Sequence, residues 1–196
     1  QQIAVGFQVR EIRTIATCAV REASDGAEFC QRIERETGLK VEVISGEKEA
    51  QLAFFSVCRN FNLEGKHVAV ADIGGGSTGV GRASGNAIEP LLTTPLGAVR
   101  MSELAGPDLA GQDFLALSNC IDKLLRKHTK RPVFSPHLLI GSGGTFTSLA
   151  DMIKTARGKA DLPTRGYEIS HADVRHLMDR LRKMSPKARR AVPGLS

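Results

Sequence analysis

The sequence predicts an α/β fold in which mixed sheets are flanked by helices. Three observations support it. Short apolar-rich runs, among them Val41–Ile44, His67–Ala71 and Pro136–Ile140, have the length and composition of buried strands. Longer stretches with helix start and stop signals lie between them. Two of the strands run straight into glycine loops, Gly74-Gly75-Gly76 and Gly141-Ser142-Gly143-Gly144.

Taken in order, Val9 to Thr17 reads as a strand. Ala19 to Thr37 reads as helix, broken at Asp25-Gly26 and ended by Gly38. After the strand Val41–Ile44, Ser45 is placed to cap a helix over 46–59, with Glu47 and Glu49 in its first turn, where the helix dipole favours acids. Phe61 to Lys66 is a connection, and a boundary is placed there between residues 1–62 and 63–196. The second part opens with the strand 67–71 and continues in hairpins to about Thr94. A short helix begins in Leu96–Arg100, and Gly111 to Lys130 is a long helix with a basic end. Pro136–Ile140 is a strand, followed by the second glycine loop and a helix to Arg157. Residues 158–167 form a loop, and Ser170 caps a last helix, His171 to Met184.

The segment Val70-Ala71-Asp72-Ile73-Gly74-Gly75-Gly76-Ser77-Thr78 carries the most chemistry. Its strand delivers a carboxylate, Asp72, to a loop of three glycines and two hydroxyls. Glycines admit close backbone approach, and successive N–H groups make a concave anion site. A carboxylate beside such a site suits a metal ion that also touches phosphate. Residues 74–79 satisfy G-x-G-x-x-G, but that pattern means dinucleotide binding only when a helix follows. Here two glycines and the Ser84-Gly85-Asn86 cluster follow, which favours strand–loop–strand over a nicotinamide-binding unit. The second loop, with Gly143, Gly144 and Thr145, has the strand–loop–helix order that places a phosphate or nucleotide at a helix N-terminus; as an alternative, it is a tight turn with Thr145 as cap.

Composition narrows the partners. Of 196 residues, 41% are hydrophobic and 24% charged, enough for a core and too ordinary for a disordered chain. No apolar run is long enough to span a bilayer and no signal-peptide pattern opens the chain, so no membrane partner is expected. Cys18, Cys30, Cys58 and Cys120 lack metal or disulfide spacing, which suits a reducing, cytoplasmic setting. The net charge of +6 suits a polyanion. One tyrosine and no tryptophan supply base stacking poorly, so no specific nucleic acid is expected.

These residues resemble those of the bacterial exopolyphosphatase and guanosine-pentaphosphate phosphatase family, whose fold is that of actin, sugar kinases and Hsp70 (ribonuclease H-like). Matching segments stand in order: Ala16-Thr17-Cys18-Ala19-Val20-Arg21-Glu22-Ala23, Val43-Ile44-Ser45-Gly46-Glu47-Lys48-Glu49-Ala50, the loop 72–78, Pro95–Arg100, the loop 141–145, and Pro193-Gly194-Leu195-Ser196. The resemblance implies a piece of a longer protein: the C-terminal part of a first actin-like domain in 1–62, and a truncated second one in 63–196. It implies hydrolysis of terminal phosphoanhydride bonds, in inorganic polyphosphate or guanosine pentaphosphate, with Mg2+ as cofactor and a homodimer of the intact protein. The isolated piece is then expected to be nearly inactive.

By the same resemblance Glu49 is the candidate general base and Asp72 the candidate metal ligand. Gly74, Gly75, Gly76, Ser77, Thr78, Gly143, Gly144 and Thr145 are candidate phosphate donors. Arg21 is a candidate phosphate clamp, because a guanidinium grips such oxygens bidentately. Glu47 is ordinary first-turn charge. One departure stands inside the best motif: where the family usually carries a glutamate after the 72–78 loop, this chain has Gly79. Readings from other classes are a non-catalytic phosphate- or nucleotide-binding module, supported by Gly79, an ATP-using kinase of the same fold, and a purely structural role.

Overall fold

The computed structural model describes residues 2–84, 87–106, 112–128 and 136–195. The chain begins with α1 (Gln2–Gly6) and β1 (Thr14–Ala16), then α2 (Cys18–Glu22), α3 (Gly26–Thr37) and β2 (Val41–Val43). Next come α4 (Gly46–Asn60), β3 (His67–Ile73), β4 (Thr78–Ser84), β5 (Ala87–Thr94), α5 (Ala98–Ala105) and α6 (Gln112–His128). The last elements are β6 (Leu138–Ser142), α7 (Gly144–Ala156), α8 (His171–Arg182) and α9 (Pro186–Arg190). The strand expected over 9–17 shrinks to three residues, and α1 and α9 carry no signal long enough to announce them. Gly85-Asn86, Gly111 and the end of the long helix at 129–130 lie outside the described residues.

Two sheets form. β1 and β2 pair in parallel. The larger sheet has the order β5-β4-β3-β6, with β3 and β6 parallel and the other pairs antiparallel. No helix among the described residues is long and apolar enough to cross a membrane.

α4 binds the larger sheet, and its sequence shows why. Ala50, Phe54 and Val57 recur at the spacing of one helical face and are buried with Leu63, Val68, Val70, Ala83 and Ile140. Phe54 is fully enclosed, a burial that contributes about 1.5–3 kcal/mol. Ser45 caps this helix as expected, its hydroxyl accepting from Lys48 N at 3.1 Å. A second core joins α7 and α8 through Met152, Ile153 and Leu177, closed by Val192.

Lys154 is a buried charge in α7, and it is fully paired. Its ammonium donates to Leu162 O at 2.7 Å and Thr164 Oγ1 at 2.8 Å, and lies 2.9 Å from Asp151 Oδ1. Three donors meet three acceptors, the condition under which a buried cation is tolerated. The arrangement pins the loop 158–167 to α7. α8 starts in a capping box between Ser170 and Asp173.

Candidate functional site

β3 and β4 join through a two-residue turn. Ile73 pairs with Thr78, and Gly74 N donates to Ser77 O at 3.0 Å, leaving Gly75-Gly76 at the tip. The carbonyls of the turn all face α5. Gly74 O accepts from Ala98 N at 2.9 Å, and Gly75 O accepts from Val99 N at 2.9 Å and Arg100 N at 3.1 Å. Gly76 O accepts from Arg100 Nε at 3.0 Å. These bonds also satisfy the orphan N–H groups of the helix start.

A trans peptide is planar, with N–H opposite C=O. Holding the three carbonyls on α5 therefore turns the N–H groups of Gly75, Gly76 and Ser77 to the other side. There they find no acceptor among the described residues. The result is a row of three unbonded amides, suited to an anion. Gly74, Gly75 and Gly76 all lack positive φ. At 76 the reason for glycine is space on the protein side, since a β-carbon would overlap Cys18 Sγ of α2. Ser77 is half-buried beside the turn. Thr78 faces inward, buried, with its hydroxyl donating to Leu96 O.

The second loop meets the first. β6 runs beside β3 with Asp72 opposite Ser142, and the Ser142 hydroxyl donates to the Asp72 carboxylate. Asp72 is half-buried, and burial raises its pKa while the Ser142 bond opposes the shift. Gly143 has φ +89°, and a β-carbon there would stand 2.7 Å from Asp72 Oδ1. Gly143 itself occupies the cap position of α7. Thr145 is therefore not the cap. Thr147, further along, bonds its hydroxyl to Gly144 O at 2.9 Å. Gly144 opens to solvent with nothing within 4 Å of its β-carbon direction.

Arg21 and Glu49 come together from α2 and the first turn of α4. Arg21 Nη1 donates to Ile44 O at 2.6 Å and lies 3.5 Å from Glu49 Oε2. The latter contact is an ion pair without hydrogen-bond alignment. Glu49 Oε2 is buried and has no hydrogen-bond partner. A buried carboxylate oxygen left in this state is set to accept from a water or a ligand. Glu47 is exposed, in keeping with plain first-turn charge.

Gly79 links these parts. It sits opposite Asp72 in the β3–β4 ladder, and its β-carbon direction points at Ala50 Cβ, 3.0 Å away. Ala50 follows Glu49 in α4. The first turn of α4 therefore rests on the strand that leaves the glycine turn.

No group of three or more His, Cys, Asp and Glu among the described residues is arranged to hold a metal. Among the described residues of the β3–β4 hairpin turn and the strand that enters it, Asp72 supplies the carboxylate. That fits magnesium, which commonly takes one or two carboxylates and fills its sphere with phosphate oxygens and water. Ser142 and Arg100 were not singled out from sequence. Both stand inside segments that carried the resemblance, but nothing in a linear reading shows that one meets Asp72 and the other Gly76.

The family model described as Ppx/GppA phosphatase family matches residues 1–196. Exopolyphosphatase 1 of Mycobacterium leprae is 30% identical over 199 residues, covering 100% of this chain and 58% of that protein. The crystal structure of an exopolyphosphatase from Cytophaga hutchinsonii superposes with a TM-score of 0.86 at 26% identity, over 98% of this chain and 64% of that one. The Aquifex aeolicus member of the Ppx/GppA family gives 0.70 at 27% identity, over 94% and 59%. The chain thus spans about three fifths of the length of these relatives, and its α/β fold is the actin-like one of its structural neighbours. With the match running the full length of the sequence, the chain belongs to the Ppx/GppA phosphatase family.

Proposed function

We propose that the protein to which this chain belongs hydrolyses the terminal phosphoanhydride bond of inorganic polyphosphate. The observation that carries the reading is Glu49 Oε2: buried, paired with Arg21 and without a hydrogen-bond donor, in a helix turn that rests on the strand leaving the amide-lined turn. The names of the relatives support a polyphosphate substrate.

The proposed roles are these, and the geometry supports them. The N–H groups of Gly75, Gly76 and Ser77 bind oxygens of the terminal phosphate, and Arg21 adds a cationic donor from α2. Glu49 accepts the proton of a water as the water oxygen bonds to the terminal phosphorus. The bridging P–O bond breaks, and the shortened chain leaves on its former bridging oxygen. A magnesium ion held through Asp72, when bound, neutralises charge on the phosphate oxygens. Gly143, packed against Asp72, would with Gly144 and Thr145 donate to a further phosphate of the chain. The four free cysteines agree with a reducing, cytoplasmic setting.

The test is phosphate release by the full-length protein, with polyphosphate and guanosine pentaphosphate offered separately and with and without magnesium. Glu49→Gln is expected to lower kcat on polyphosphate by about 100-fold or more while substrate still binds. Release from guanosine pentaphosphate alone would move the substrate. Binding of either without turnover by the wild-type protein would make this a phosphate-binding module instead.

A further inference from the structure

Three peptide units make the amide face of the turn, and they are held differently. The carbonyls of Gly74 and Gly75 are held by backbone N–H groups of α5. The carbonyl of Gly76 is held by a side chain, Arg100, through Nε at 3.0 Å. The peptide from Gly76 to Ser77 carries the Ser77 N–H on its opposite edge. Arg100 therefore holds the carbonyl edge of the peptide whose other edge is the Ser77 N–H.

The same guanidinium reaches α2. Nη2 pairs with the Glu22 carboxylate and lies 3.6 Å from Cys18 Sγ, while the Cys18 thiol donates to Glu22 Oε1 at 3.3 Å. Glu22 is held below the usual glutamate range, first by Arg100 and then by Cys18. Arg21, the neighbour of Glu22 on α2, faces Glu49. Consecutive residues of one short helix thus hold opposite sides of the site.

We propose that Arg100 is a positioning residue: it sets the Ser77 amide relative to α2, and through α2 relative to Arg21 and Glu49. The inference rests on the phosphohydrolase reading for its kinetic consequence. A planar fork with donors on two edges can hold Gly76 O and Glu22 at once. A lysine offers one compact head and cannot span both.

The experiment uses the full-length protein with Arg100→Gln, Arg100→Lys, Glu22→Gln and the double variant Arg100→Gln/Glu22→Gln. Arg100→Gln should lower kcat for phosphate release by about 10- to 100-fold, the scale of a misplaced binding group, with KM changed less than about threefold. Arg100→Lys should recover part of the loss. The double variant should match Arg100→Gln, because both changes cut one link. Wild-type kinetics in a folded Arg100→Gln protein, or strictly additive losses, would overturn the proposal.

A second readout does not need turnover. Titration with inorganic phosphate should shift the Ser77 amide resonance in the wild-type protein and leave it unmoved in Arg100→Gln. No shift in the wild type, or equal shifts in both, overturns the proposal. If the wild type releases no phosphate from either substrate, the phosphohydrolase reading fails, and the amide titration alone decides the role of Arg100.

Discussion

Gly143 leaves no room for a β-carbon beside the carboxylate of Asp72. A β-carbon at 143 would stand 2.7 Å from Asp72 Oδ1 and 2.8 Å from Ile73 O. The loops that follow two parallel neighbouring strands are thereby packed against each other, with the half-buried acid between them.

Gly143→Ala therefore meets two obstacles, a left-handed backbone at φ +89° and the acid itself. The change should destabilise the fold by about 1–3 kcal/mol, the usual range for strain of this kind. Urea denaturation measures it. Phosphate release by the full-length protein should fall further than stability alone explains, because Asp72 must move.

At Gly79, where the resemblance leads one to expect a glutamate, α4 lies directly over the strand. Gly79→Ala should cost about 1–3 kcal/mol, the range for overpacking, since the new carbon sits 3.0 Å from Ala50 Cβ. Ala50→Gly gives up about 1 kcal/mol of helix propensity by itself. Combined with Gly79→Ala it should recover part of the loss. A double-mutant cycle checks this, and strict additivity would mean that the two residues do not compete for space. Gly79→Glu should not raise phosphate release above that of the wild type.

Asp72 should leave a mark on the pH dependence of stability. Its pKa in the fold is raised, first by burial. The folded chain therefore holds a proton that the unfolded chain has lost, in the window between the ordinary aspartate value and the raised one. Stability falls as pH rises through that window and is level above it. Asp72→Asn should remove this fall, and the proposed magnesium at Asp72 predicts that added magnesium stabilises the wild type and leaves Asp72→Asn unchanged. Denaturation curves across the acid range, with and without magnesium, test both.

Asp173 works in the opposite sense. The Ser170 hydroxyl, the Ser170 N–H and then Arg157 hold its carboxyl below the usual value. Its contribution is fully present above the unfolded value and is lost as pH falls through the depressed one. Ser170→Ala removes the cap of α8 and should cost about 1 kcal/mol at neutral pH. The same variant should lose less stability on acidification than the wild type, which a pH series of thermal melts will show.

Most of the local structure is legible in the chain. Ser45, Ser170 and Gly38 announce helix ends because capping is chemistry between near neighbours in sequence. The hairpin after Asp72 is legible because Ser84-Gly85-Asn86 and two glycines forbid a helix. The short elements α1 and α9 are not, since five residues hold too little pattern. At the site, the resemblance supplied the residues and the structure supplied their surroundings. The glycine at 76 reads from sequence as room for a ligand, and it stands against Cys18, 58 positions earlier. Thr78 reads as a free hydroxyl and donates to Leu96 O. Arg100 has no local partner in sequence at all. Each of these depends on contacts between distant segments, which periodicity and capping do not encode.

α4 is rooted by Phe54 in the sheet that carries the glycine turn, whereas Arg21 and Glu22 ride on α2 beside the small β1–β2 sheet. Glu49 and the glycine turn are therefore carried by one packed layer, and α2 joins that layer through side chains, Arg21 to Glu49 and Glu22 to Arg100.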